Sequence, residues 1–109
     1  MSPTQESLKY LRNDGWTVAI VEKKVPHSFI SQDLFGFIDL IAIHPDSETT
    51  IGIQVTTTAN ISARRAKILA HKNYQIWKAS PYRRMIIHGW SKKGKRGERK
   101  WWTLTEVEL

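Results

Sequence analysis

Apolar positions along the chain recur with two periods, and the switches between them mark the elements. Leu8 and Leu11, spaced i, i+3, predict a helix over Pro3–Asn13. Ser2 or Thr4 can cap its start, Pro3 suits a first helical turn, and Asp14-Gly15 ends it. The β-branched run Trp16–Glu22 predicts a strand, and Lys23–Asp33 a loop long enough to carry function. Leu34–His44 is almost continuously apolar and predicts a buried strand. A turn at residues 45–48 and a return strand, Thr49–Thr56, complete a hairpin. Beyond residues 57–60 one long helix is predicted over Ile61–Lys78, capped by Asn60 or Ser62 and stopped at Ser80-Pro81. Two more strands follow, Arg84–His88 and Lys100–Val107, on either side of a glycine-punctuated loop. The order α-β-β-β-α-β-β predicts a single α/β domain, residues 1–109: a mixed central sheet flanked by helices, plus a C-terminal hairpin.

The hairpin carries an anomaly. With residues 45–48 as its loop, pairing partners sum to 93, so Asp39 lies opposite Gln54 and Phe37 opposite Thr56. Alternation then places Phe37, Asp39, Ile41, Gly52, Gln54 and Thr56 on one face. Ile38, Leu40, Ala42, Ile51, Ile53 and Val55 form the other, wholly apolar face. Asp39 therefore sits inside an apolar run, where an ionised carboxylate needs a donor, a proton or a cation. Two readings are open. One is a structural hydrogen bond from Gln54 or Thr56. The other is a weak Mg²⁺ site made of the Asp39 carboxylate, the Gln54 amide oxygen and a backbone carbonyl, completed by substrate phosphate.

Composition changes the picture mainly through charge. The net charge is +7, but residues 1–63 contribute −3, residues 64–100 contribute +12 and residues 101–109 contribute −2. A cationic third of that kind points to a polyanion, most often nucleic acid. Absence of cysteine excludes a disulfide scaffold, a thiolate zinc site and a cysteine nucleophile. No membrane span and no secretory leader are expected, which fits a cytoplasmic protein.

The segments FGFID and IGIQVT, with the stretch that follows them, resemble the PD-(D/E)XK nuclease superfamily. Ile38-Asp39 stands at the Pro-Asp position and Gln54-Val55-Thr56 at the (D/E)-X-K position. DLFGFIDLIAIHPDSETTIGIQVTTTANISARRAKI, and the later HGW and GERKWW, are similar to a small bacterial and phage branch with a Holliday-junction-resolvase-like core. The resemblance spans roughly residues 15–109. It implies a restriction-endonuclease-like fold and Mg²⁺- or Mn²⁺-dependent hydrolysis of DNA phosphodiesters, with branched or structured DNA as a candidate substrate. The implied metal ligands are Asp39, Gln54 and the Val55 carbonyl, and the implied catalytic set is Asp39, Gln54, Thr56, Glu22 and Arg64. Gln54 replaces the usual acid and Thr56 the usual lysine; Arg64, Arg65 or Lys67 on the next helix are candidates to stand in for it. Of two candidate acids from the first elements, Glu22 is preferred to Glu6. Ser31 is a further loop candidate. An enzyme of this branch acts on two symmetric strands, which makes a two-fold homodimer an expectation.

Two basic elements would meet phosphate. Arg64, Lys67, His71 and Lys78 form a stripe if residues 61–78 are one helix. Lys92, Lys93, Lys95, Arg96, Arg99 and Lys100 crowd the last loop and suit backbone contacts. Trp90, Trp101 and Trp102 flank that loop, as strand packing or as stacking platforms. Three functions compete: a metal-dependent nuclease, a non-catalytic DNA-binding module on the same fold, and a phage or mobile-element regulator that binds a protein.

Overall fold

The computed structural model describes residues 2–28 and 30–109. Helix α1, Pro3–Asn13, starts as expected: the Ser2 hydroxyl accepts the Gln5 N–H at 3.3 Å and Pro3 fills the first turn. Its buried face holds Leu8 and Leu11, and also Ser7. Strand β1, Thr17–Ile20, is shorter than the sequence run. The expected loop at residues 23–33 instead contains a small ladder, β2 (Lys23–Lys24) against β3 (Ser31–Gln32). Strands β4, Leu40–Ile43, and β5, Thr50–Thr57, form the hairpin. A 3₁₀ turn, Thr58–Asn60, leads into α2, Ile61–Leu69, then α3, Lys72–Lys78. The long strands β6, Arg83–Lys93, and β7, Trp101–Glu108, close the chain.

The main sheet has five strands in the order β1-β4-β5-β6-β7, mixed because β5 and β6 run parallel while the other pairs are antiparallel. A parallel pair needs a crossover, and α2 and α3 supply it. Leu8 and Leu11 of α1 pack with Val18, Leu40, Ala42, Ile51, Ile53 and Ile86 on one face. Ile68, Tyr74 and Trp77 of α2 and α3 pack with Phe37, Ile38, Met85 and Ile87 on the other. No helix among the described residues is long and apolar enough to cross a membrane.

The hairpin register holds: Leu40 faces Ile53, Ile41 faces Gly52 and Ala42 faces Ile51. Two expectations around it fail. Leu34–His44 is not one strand, because residues 34–37 turn back on themselves, with a Leu34–Ile38 bridge. Phe35 and Gly36 have φ of 58° and 93°, the two consecutive left-handed residues of a type I′ turn. That turn breaks the alternation, so Ile38 joins Phe37 on the α2/α3 face instead of Leu40 on the α1 face. The 61–78 helix is also two helices. His71 is extended (φ −78°, ψ 132°) and its Nδ1 accepts the Asn73 N–H at 3.1 Å, capping α3. Arg64, Lys67, His71 and Lys78 are thus no single stripe.

Candidate metal centre

Asp39 sits where three strands meet. Its backbone N–H donates to the Ile53 carbonyl (2.9 Å), and its carbonyl accepts from Val21 (2.9 Å) and Glu22 (3.3 Å). These bonds tie the end of β1, the start of β4 and the middle of β5 to one residue. Gln54 and Thr56 follow Gly52 at the two-residue spacing of a strand, and Gly52 lies against Trp77, Met85 and Ile38. Asp39, Gln54 and Thr56, all buried, therefore belong to the α2/α3 face.

The side chains converge. Asp39 Oδ2 accepts the Val55 N–H at 2.8 Å and a Gln54 Nε2–H at 3.1 Å. Gln54 Nε2 also donates to Asp33 Oδ2 at 3.1 Å. Glu22, Asp33 and Asp39 each offer one carboxylate oxygen, and these lie within 4.8 Å of one another. Burial, then the neighbouring Asp33 carboxyl, push the Asp39 carboxyl up to about 7, against the pull of the Val55 N–H and the Gln54 amide. None of the three carboxylates forms an ion pair among the described residues.

A hard divalent cation fits this donor set. The atoms are oxygens, the charge is negative, and neither thiolate nor imidazole is among them. An extended residue sends its N–H and C=O to the same side of a strand, so the Val55 carbonyl leaves β5 on the side of Asp39. Gln54 presents its amide NH₂ to both carboxylates, so serving as a ligand through oxygen requires that amide to turn over.

Of the residues singled out from sequence, Asp39, Gln54, Val55 and Glu22 come together, with Thr56 on the same face two residues from Gln54. Glu6 does not: it lies on α1, across the sheet, beside Trp90 and Trp102. Arg64, Arg65 and Lys67 are on α2, and their side chains make no hydrogen bond or ion pair among the described residues. Ser31 is exposed in the small ladder, paired with Lys24. His88 is structural, fully buried with Nδ1 2.9 Å from the Ser7 hydroxyl. Asp33 was not a candidate from sequence. It ends a polar loop, and only the 34–37 turn brings it beside Asp39; the one local signal was its place immediately before LFGF.

The basic loop joins β6 to β7, and Lys92, Lys93, Lys95, Arg96, Arg99 and Lys100 are all exposed. The three tryptophans separate. Trp90 is buried with Nε1 donating to Ser7, Trp102 is half-buried beneath the Lys92 ammonium (5.0 Å from its ring centre), and Trp101 is exposed. Lys78 Nζ donates to the Leu109 carbonyl at 3.1 Å. No protein-family model, curated protein or solved structure matches this chain.

Proposed function

We propose that the protein is a metal-dependent nuclease of the PD-(D/E)XK kind, with a restriction-endonuclease-like fold and DNA as its substrate. The observation that carries this reading is the convergence of Glu22, Asp33 and Asp39 within 4.8 Å on one face of the sheet. Their combined charge is unfavourable in a partly buried site unless a cation or a proton offsets it. A divalent cation held there would supply the charge that offsets the negative charge growing on a phosphodiester during hydrolysis. Asp39, with Val55 N–H fixing its orientation, is the central ligand; Asp33 and Glu22 close the site from the small ladder and the end of β1. Gln54 donates to both aspartates and so holds them in register, and its amide oxygen would help hold a cation if the amide turned over. The basic β6–β7 loop holds the DNA backbone by charge.

The test is cleavage of linear, single-stranded and branched DNA with Mg²⁺ or Mn²⁺. Cutting by the parent, and its loss in Asp39→Ala with an unchanged circular-dichroism spectrum, is the expected result. Absence of cutting on every substrate with either metal sinks the reading. A second reading, DNA binding without cutting, draws on one observation: Thr56 stands where the superfamily has lysine, and no basic side chain pairs with the carboxylates among the described residues. Under it, salt-dependent DNA binding survives Asp39→Ala unchanged.

A further inference from the structure

The turn that carries Asp33 toward Asp39 has an unusual residue at its tip. A type I′ turn wants asparagine, aspartate or glycine at its first central position, because φ there is positive. This turn has Phe35, at φ 58°. A bulky L-residue in that region is strained. The conformation is nonetheless tightly fixed: Phe37 N–H and Ile38 N–H both donate to the Leu34 carbonyl (3.2 and 3.0 Å), and Gly36 N–H donates to the Asp33 carbonyl (3.0 Å). From α3, Asn73 Nδ2 donates to the Phe35 carbonyl at 3.0 Å. The ring so placed is not buried. It is 54% exposed. Core packing therefore does not account for a phenylalanine here.

Phe35 stands between two cavities. One, of about 440 Å³, is lined by Val21, Lys23, Gln32 and Asp33, and so borders one of the three carboxylates. The other, of about 310 Å³, is lined by Asn73, Ile76, Trp77 and Arg83, mostly apolar and aromatic, with the Arg83 guanidinium carbon 5.8 Å from the Trp77 ring centre. Its size is that of a small-ligand site, and its walls are those that accept a flat ring. Phe35 lines both cavities.

We infer that this second cavity receives one unpaired nucleobase, stacked on Phe35, from the strand whose phosphate faces the carboxylates. This rests on the nucleic-acid part of the function proposed above, and deepens it by naming the substrate feature read. A flat base fits between Phe35 and Trp77; its negatively charged backbone is drawn by Lys23 on one side and by Arg83, which also donates to the Trp77 and Ile76 carbonyls, on the other; and Phe35 joins this cavity to the one that the Asp33 carboxylate lines. Stacking of this sort is indifferent to base identity, so the preference is for an unpaired base, not for a sequence.

The experiment uses Phe35→Asn and Phe35→Tyr in the full chain. Affinity is measured by fluorescence anisotropy, in EDTA to prevent cutting, for a duplex with one bulged thymine, the fully paired duplex, and single strands of DNA and RNA of the same sequence. The parent is expected to prefer the bulged duplex and single strands. Phe35→Asn should lose that preference, about 5- to 100-fold, with paired-duplex affinity unchanged. It should also melt a few degrees higher than the parent, since asparagine tolerates the left-handed conformation. Phe35→Tyr should keep the preference. Equal binding of bulged and paired duplex by the parent, as expected if the cavity takes a side chain of a protein partner, overturns the inference. So does a Phe35→Asn variant that retains the preference, or one that melts lower and so assigns the ring to packing. Cleavage with Mg²⁺ is scored separately. Cutting that ignores Phe35 leaves the nuclease and removes the base pocket, whereas bulge preference without cutting does the reverse. The DNA and RNA single strands decide which nucleic acid supplies the base.

Discussion

Asp39 and His88 are buried on opposite faces of the sheet, and their titrations oppose each other. Asp39 is held up to about 7 by burial and by Asp33. Its proton is bound more tightly in the folded than in the unfolded chain, so its contribution is full below about 4 and is lost as pH rises through 7. His88 is pushed down by burial, with Glu106, 3.6 Å away, pulling the other way. Its contribution is present above the ordinary histidine range and is lost as pH falls. Without divalent ions the two slopes partly cancel. Asp39→Asn should therefore expose a protein that loses stability between pH 8 and pH 5, and His88→Gln one that gains it, as read by urea denaturation at both pH values. Parent-like profiles in both variants would refute this. Mg²⁺ should raise the Tm of the parent at pH 8 and leave Asp39→Asn unmoved. At this scale the sequence revealed Asp39 as a carboxylate in an apolar run, and paired it with Gln54 because strand alternation is a strict local rule. It did not reveal Asp33. Chain separation from Glu22 and Asp39 carries no spacing signal, and the contact exists only through a turn whose left-handed phenylalanine defies the usual composition rule.

Elements were legible where periodicity sets them and illegible where side chains do. Helix α1 shows the contrast. Leu8 and Leu11 announced it, yet it also docks through Ser7, a polar residue that no hydrophobic pattern selects. Ser7 is fully buried, its oxygen accepting from Trp90 Nε1 at 2.7 Å and bonding His88 Nδ1 at 2.9 Å. Ser7→Ala strands both partners, at about 2–4 kcal/mol in total. Expected is a matching drop in unfolding free energy with the β-sheet signal intact; a loss below about 0.5 kcal/mol would show that the two partners find others. The break between α2 and α3 was hidden for a similar reason. Neither proline nor glycine marks it. His71 makes it, capping α3 with one nitrogen while its ring packs beside Phe37 and Gly36 (centroid 5.8 Å from Phe37). The same residue thus ends one helix, starts the next and backs the turn that presents Phe35.

Charge is the sequence's signal at the scale of the whole molecule, and the fold sharpens it by dividing the cationic loop between two faces. Gly89 lies beneath Ile61 of α2, so alternation places Ser91 and Lys93 on the carboxylate side. Trp90 reaches Ser7 of α1, which places Lys92 on the opposite side, where it covers Trp102. Lys93 stands six residues beyond Ile87, the register partner of Gln54, or about 20 Å along the strand. On duplex DNA that span is about six phosphates. Lys93→Gln should therefore lower affinity for a duplex that extends ten or more base pairs past the carboxylates. It should also flatten the log-affinity against log-salt slope by about one. Lys92→Gln should change neither as much, and a duplex ending within four base pairs should not distinguish the variants. Equal losses from both substitutions would mean that the loop grips phosphate as an undirected cationic tip. Unequal losses would mean that the loop acts through Lys93, on the face that also gathers Glu22, Asp33 and Asp39, which is the arrangement a phosphodiester needs to be held at one end and met by a cation at the other.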